Sequence, residues 1–357
     1  MSYVLAFLGF AALIIAHEAG HFTAAKAVGM RVERFSLFFG PMLVKFRRGE
    51  TEYGIGPIPL GGYVKITGMN PSEEIPPEFV DRAYYNQPVW KRNVVILAGP
   101  AVNLLIAFAI IWGLLLSNGS AVPIKRVAGV EKSSAAAGVL RPGDQIVSVD
   151  GVSSSAAQIR NQIATHRCTG AEVNGCLAAT PVRIVVRRNG QLLTFSVRPR
   201  YSAAEHRPLL GFDFGEGTQY PSATRAASLA ITGLWSVTKQ TVSTVARVFE
   251  PQERKQLSGV VGGFTVTQKS FAQSPSLALQ VLALISLSLA VINLFPFLPL
   301  DGGHVFWALA EKVRGKRIPF AVMERAGVVG FVLILVLFVI GLSNDITTLS
   351  GSGFNVH

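Results

Sequence analysis

The sequence predicts a polytopic α-helical membrane protein with four transmembrane helices, a short β-structured loop on one side of the bilayer and a β-rich segment on the other. Three observations carry this. Half of the 357 residues are hydrophobic and only 15% are charged, against about 25% charged in an average soluble domain; mean hydropathy is +0.41. Four long apolar stretches interrupt the chain, and the short loops hold an uneven share of Lys and Arg. Such a composition excludes an ordinary soluble enzyme and a disordered chain.

The first apolar stretch begins near Tyr3 and carries no charge as far as Ala16. A bilayer span takes roughly 20 residues, so it must continue through His17, Glu18 and His21. It lacks a basic n-region and a small-x-small cleavage site, which makes it a retained span and not a signal peptide. The second stretch runs from Val94 to Leu116 and the third from about Leu277 to Leu300. The fourth, Val328 to Leu342, reaches span length by starting near Ala321. With flanks, the expected segments are a first span in 1–28, a β-loop in 29–70, a connector in 71–92 and a second span in 93–116. A β-rich domain follows in 121–200, a helical region in 220–275, a third span in 277–303 and a fourth in 321–343.

The segment from Lys26 to Arg92 holds ten Lys and Arg residues. The short loop after the third span holds Lys312, Arg314, Lys316 and Arg317. The positive-inside rule places both loops in the cytoplasm. Both termini and the segment 117–276 then lie outside. In the first loop, short strand candidates are punctuated by Arg48-Gly49-Glu50 and by Pro57 to Gly62, and their apolar content predicts folding back against the membrane. In the outer segment, strands are expected at 125–127, 145–149, 182–186 and 192–197, with Asn189-Gly190 as a hairpin turn. Short helices are expected at 134–139 and 156–163, and a longer one from Thr224 to Phe249, ended by Pro251.

The net charge is +12. With no zinc-finger spacing, RNP-like strand or polybasic block, it does not indicate nucleic acid. Cys168 and Cys176 lie close together in a polar stretch. An oxidising compartment permits a disulfide between them, and two unrelated thiols fit equally well.

His17-Glu18-Ala19-Gly20-His21 is an HExxH pattern. On a helix, positions i and i+4 share one face, so both imidazoles can meet one zinc with Glu18 beside its water. Two polar histidines near a helix end are the bland alternative, but ionisable groups inside a membrane helix are costly and usually functional. Zinc wants a third protein ligand. Asp301, at the end of the third stretch, is the candidate: the first and third spans run the same way, which puts all three residues at similar depth. His304 is the weaker candidate, read as a support or interface residue. Asn293 can donate to a scissile carbonyl or act as interhelical glue. Asn103 is divided between an active-site role and helix packing.

These residues resemble the site-2 protease family of intramembrane zinc metalloproteases, peptidase family M50, on the bacterial regulator-of-sigma-E-protease branch. His17 to His21 match the family's HExxH, Asn293 with Pro296 and Leu300 to Gly302 its NxxPxxxLDG, and Gly99, Pro100 and Asn103 its GPxxN. Residues 31–66 look like its membrane-reentrant β-loop, and Ala135 to Gly151 like a bacterial PDZ domain. Three departures stand out: one PDZ-like domain in place of two, Val260 after Leu257-Ser258-Gly259, and Phe38-Phe39-Gly40 in place of Gly-Phe-Gly.

The resemblance implies a zinc-dependent intramembrane endopeptidase in a bacterial inner membrane, with His17, His21 and Asp301 as metal ligands and Glu18 and Asn293 as catalytic residues. Glu18 would activate zinc-bound water. The implied substrates are single-pass membrane proteins, either anti-sigma-factor-like chains after a first extracytoplasmic cut or signal-peptide remnants. The lipid bilayer is the other partner, no nucleic acid is expected, and a monomer is the default. The active site would lie near the cytoplasmic side and the PDZ-like domain outside. A non-catalytic PDZ scaffold and a zinc transporter are the readings from other classes; the intact HExxH and Asp301 speak against the first, and the scarcity of further ionisable groups in the spans against the second.

Overall fold

The computed structural model describes residues 1–70, 73–248, 250–254 and 258–351. Two compact units emerge, Met1–Leu114 with Ala223–His357, and Leu115–Ser222. The first unit opens with helix α1 (Ser2–Ala27). Its apolar run has no proline, and the helix gives way at Val28 and Gly29, whose φ of +84° suits glycine. Strands β1 (Val32–Phe39), β2 (Val44–Arg48), β3 (Thr51–Ile55) and β4 (Ile58–Ile66) form one sheet in the order β2-β3-β1-β4. Among the described residues β4 pairs only with β1, so its other edge has no strand partner. Ala25, Met30, Val32 and Ile66 are buried together with Tyr84, Val95 and Ile96, which anchors the sheet to the end of α1 and the start of α2 (Val89–Asn118). Leu43, Val44, Phe46 and Ile58 are exposed, an apolar surface too extended for water alone. Glu50, in the β2–β3 turn, accepts from both Arg82 terminal nitrogens at 2.8 Å and pairs with Lys26. The Arg82 hydrogen bonds, and then Lys26, hold its carboxyl down to about 2 despite partial burial.

The second unit is a five-stranded sheet with one helix against it. It comprises β5 (Ser120–Val130), β6 (Gln145–Val149), α3 (Ala156–Ala164), β7 (Val182–Arg188), β8 (Gln191–Val197), the short pair β9 (Arg200–Ser202) and β10 (Arg207–Leu209), and β11 (Phe212–Gln219). Sheet order is β11-β5-β6-β7-β8. Val127, Ile146, Val149, Ile159, Ile163, Val182 and Ile184 fill the core, the inward members of alternating strands and one helix face. Asn189 and Gly190 both take positive φ, at 50° and 82°, as a two-residue hairpin turn requires. A disulfide joins Cys168 to Cys176.

Chain order then returns to the first unit with α4 (Ala223–Ala246), α5 (Pro251–Arg254), α6 (Val260–Gln273), α7 (Pro275–Asn293), α8 (Asp301–Arg314) and α9 (Phe320–Ser350). Asp345 of α9 is buried and accepts from the backbone N–H groups of Gly259 at 2.9 Å and Gly262 at 2.7 Å, capping α6. Among the described residues, four helices are long and apolar enough to cross a membrane: α1, α2, α7 and residues Ala321–Ser350 of α9.

Several expected boundaries move. The third span stops at Asn293, not at 303, and Asp301 begins a separate helix. The prolines at 296 and 299 deny the backbone donors that a continuous helix needs, and α8 occupies what reads in sequence as a basic loop. The β-rich unit reaches Gln219, beyond the expected 200, because β11 pairs along β5 from 80 or more residues away. Residues 134–139 form turns instead of a helix, and Pro251 starts α5, where proline's missing N–H costs nothing. Pro71, Phe249 and Leu257 lie outside the described residues. Phe38 adopts φ 70°, a left-handed conformation that a glycine there would take without the Cβ clash.

Asp144 in the second unit is 2% exposed and accepts from Arg188 Nε and Nη2 at 2.7 Å and from Arg141 N at 2.8 Å. Arg188 is the main cause holding its carboxyl below the usual carboxylate range. A depressed folded-state value stabilises above the unfolded value of about 3.9 and loses that contribution as pH falls through the folded one. Asp144→Asn is therefore expected to cost about 2 kcal/mol near neutral pH, the usual worth of hydrogen bonds to a charged group. Melting curves of the two proteins should converge as the pH is lowered below the carboxylate range.

Candidate metal centre and active site

His17 and His21 occupy successive turns of α1 on its buried face. Asp301 arrives from the first turn of α8. His17 Nε2 lies 3.2 Å from Asp301 Oδ2 and 3.2 Å from His21 Nε2, and His21 Nε2 lies 3.3 Å from Asp301 Oδ2. This near-equilateral triangle has a simple meaning. Ligands about 2.0–2.1 Å from a tetrahedral zinc stand about 3.3–3.4 Å from one another. Asp301 Oδ2 is buried without a hydrogen-bond donor, as expected for an oxygen whose partner is a cation. Two imidazoles and one carboxylate, with the fourth direction open to a cavity, fit zinc better than the oxygen-rich shells of magnesium or calcium.

Helix α2 orients both rings. His21 Nδ1–H donates to the Val95 carbonyl at 2.8 Å, which leaves Nε2 as the free lone pair. The Asn103 amide sits 3.2 Å from His17 Nδ1. With its nitrogen toward the ring, Asn103 Oδ1 stays buried and unpaired. Turned by half a revolution, the amide oxygen accepts from Nδ1–H and His17 Nε2 is freed in the same way. Asn103 is itself completely buried, and its carbonyl accepts from Ser286 Oγ of α7 at 2.9 Å. Of its two sequence readings, the structure thus supplies a contact to a site histidine as well as helix packing.

Glycines make the site compact. A Cβ on Gly99 would lie 2.3 Å from His21 Nε2, and one on Gly20 2.6 Å from the Ala98 carbonyl oxygen, so α1 and α2 meet almost backbone to backbone. A Cβ on Gly62 of β4 would lie 2.8 Å from Glu18 Cγ. Glu18 therefore packs against the sheet. A cavity of about 680 Å³ opens over the triad. Glu18, Asn293, Gly61 to Val64 of β4, His304 and Phe331 are among its lining residues. The five residues expected to bind metal or act in catalysis, His17, Glu18, His21, Asn293 and Asp301, all line this one cavity. His304 lies a turn after Asp301 and lines the cavity, but it is not among the three converging ligand atoms. The Val95 carbonyl and the clearance role of Gly62 are invisible in sequence, since neither residue type signals its contact.

Gly99→Ala should expel His21 from its position, and Asn103→Ala should free the His17 ring. Bound zinc, measured by atomic emission on purified protein, is expected to be lost in the first. In the second, affinity should fall by about 10- to 100-fold, the usual effect of losing a group that orients a metal ligand.

The family model of peptidase family M50 matches residues 5–337. A protein of Brucella suis named "Putative zinc metalloprotease" is 30% identical over 361 residues, covering 94% of this chain and 92% of the relative. One of the same description from Clostridium acetobutylicum is 28% identical and covers 96% of each chain. Zinc metalloprotease Rip1 of Mycobacterium tuberculosis is 31% identical over 341 residues, 84% of this chain and 82% of its own. With the family model matched along nearly its whole length, the chain belongs to peptidase family M50, the site-2 protease family.

Proposed function

We propose that this zinc metalloprotease is an intramembrane endopeptidase acting on single-pass membrane proteins, as the second cut after an outer domain has been trimmed. One observation carries the reading. A Glu beside a two-His, one-Asp ligand set lines a cavity walled by the unpaired edge strand β4, within helices apolar enough to cross a bilayer. His17, His21 and Asp301 hold the zinc, which when bound supplies a Lewis acid that makes water ionise near neutral pH. Glu18 takes a proton from the attacking water as its oxygen bonds to the scissile carbonyl carbon, and delivers it to the amine as the C–N bond breaks. The Asn293 amide donates to the substrate carbonyl as negative charge develops there.

A helical substrate hides its peptide bonds, and strand addition to β4 would expose them. Gly61 and Gly62 of that strand line the cavity, with Gly62 against Glu18. The apolar, exposed side chains of β2 and β3 fit a loop that enters the membrane from the cytoplasmic side. In this reading the Leu115–Ser222 unit is a PDZ-like domain outside the cytoplasm, where an oxidising compartment suits the Cys168–Cys176 bridge. There it excludes substrates whose outer domains remain uncut.

Three outcomes test this. Glu18→Gln should retain zinc and lose at least 100-fold of the cleavage of a tagged single-pass substrate in membranes, as expected for loss of a general base; equal cleavage by both proteins would refute the protease reading. Tyr63→Pro should reduce cleavage far more than zinc content. Deleting residues 121–200 should make an uncut substrate cleavable if the domain acts by exclusion; a substrate that stays resistant would favour recognition of a new chain end.

A further inference from the structure

The third ligand poses a positional problem that the first two do not. His17 and His21 are fixed by one continuous helix. Asp301 follows an irregular stretch, because α7 ends at Asn293. Its place is therefore set by α8. The first turn of α8 is seated by glycines: a Cβ on Gly302 would lie 2.2 Å from the Leu294 carbonyl oxygen, and one on Gly303 2.5 Å from Leu298 N. The roll of the helix about its own axis also depends on what holds its far end. A side-chain group rides about 6 Å from a helix axis, so a roll of about 10° moves it by about 1 Å, enough to spoil a ligand sphere whose distances vary by only about 0.2 Å.

Asp301, His304, Ala308 and Glu311 follow one another at helical spacing and share one face of α8. At the far end of that face Glu311 Oε2 accepts from Arg92 Nη1 at 3.0 Å. The Arg92 side chain is 4% exposed and that of Glu311 17%. Arg92 belongs to α2, and the spacing Arg92, Val95, Gly99, Asn103 traces one stripe of that helix. Val95 holds His21, Gly99 makes room for it, and Asn103 touches His17. Among the described residues, the Arg92–Glu311 pair is the ion pair that ties α8 to α2, whereas Asp301 faces the two histidines of α1.

We infer that Arg92 and Glu311 are positioning residues for the metal centre: their buried ion pair locks the roll of α8 and so places Asp301 against the two imidazoles. One stripe of α2 then supports all three ligands. This rests on Asp301 being the third ligand. Neither Arg92 nor Glu311 touches metal or substrate; both act through Asp301.

The test is the rate of zinc release to a chromogenic chelator from the purified full-length protein, measured well below its melting temperature. Arg92→Gln and Glu311→Gln are each expected to speed release about tenfold, with Arg92→Lys restoring much of it. The double variant should be no faster than either single one. Breaking a buried pair can unfold a protein, whereas replacing both charges by apolar groups is far better tolerated. Arg92→Met with Glu311→Met therefore serves as the variant that folds, and it too should release zinc faster. Variants that melt lower but release zinc at the native rate would overturn the positioning role. Asp301→Asn separates the two levels. If it retains zinc at the native rate, the ligand assignment falls and the inference with it; if it loses zinc while the Arg92 and Glu311 variants do not, the inference alone falls.

Discussion

Placing two imidazoles and a carboxylate inside apolar helices is the constraint on which the rest of the molecule depends. Each such group loses water's hydrogen bonds and must recover them from the protein or from a cation. Here the recovery is divided by atom. The Nδ1 sides of the histidines turn to the Val95 carbonyl and the Asn103 amide. The Nε2 atoms and Asp301 Oδ2 are left facing one another at 3.2–3.3 Å. Without a cation between them, that arrangement would pack unshared lone pairs together in a low dielectric. With zinc it is the expected ligand triangle.

Much of the surrounding architecture follows from keeping that triangle tight. Glycine at position 20 brings α1 against α2, and glycine at 99 clears the ring of His21. Glycines at 302 and 303 press α8 onto the turn after α7. The sheet contributes at the same place, since Gly62 lets Glu18 lie against β4 while residues of that strand line the cavity. Close backbone approach is the shared device, and it works because a missing Cβ removes the one atom that would hold the elements apart. Buried Arg92 and Asp345 extend the same economy, since each spends a charge inside the fold only where a partner from another helix receives it.

The Leu115–Ser222 unit is built on a different principle. Its core is an ordinary one of Val and Ile from alternating strand positions, closed by one helix face. Its strands were readable wherever they were local, as at Gln145–Val149 and around Asn189-Gly190. The closing strand β11 was not, because its apolar content is weak and its identity comes from pairing with β5, a partner distant in the chain. Propensity reports local fitness and is silent about distant partners.

What the amino-acid sequence determined by itself was the chemistry and its rough address. Four apolar stretches, the loop charges, the HExxH spacing and the Asn293-to-Asp301 run named the three residues of the triangle and, beside them, Glu18 and Asn293. They could do so because helical periodicity and hydropathy are local properties. Tertiary structure alone decided the rest: that Asp301 meets the two imidazoles of α1, that a single face of α2 braces both histidines, and that β4 packs against Glu18. Each of those is a contact between segments far apart in the chain, so its energy belongs to the pair and neither partner's residue type announces it.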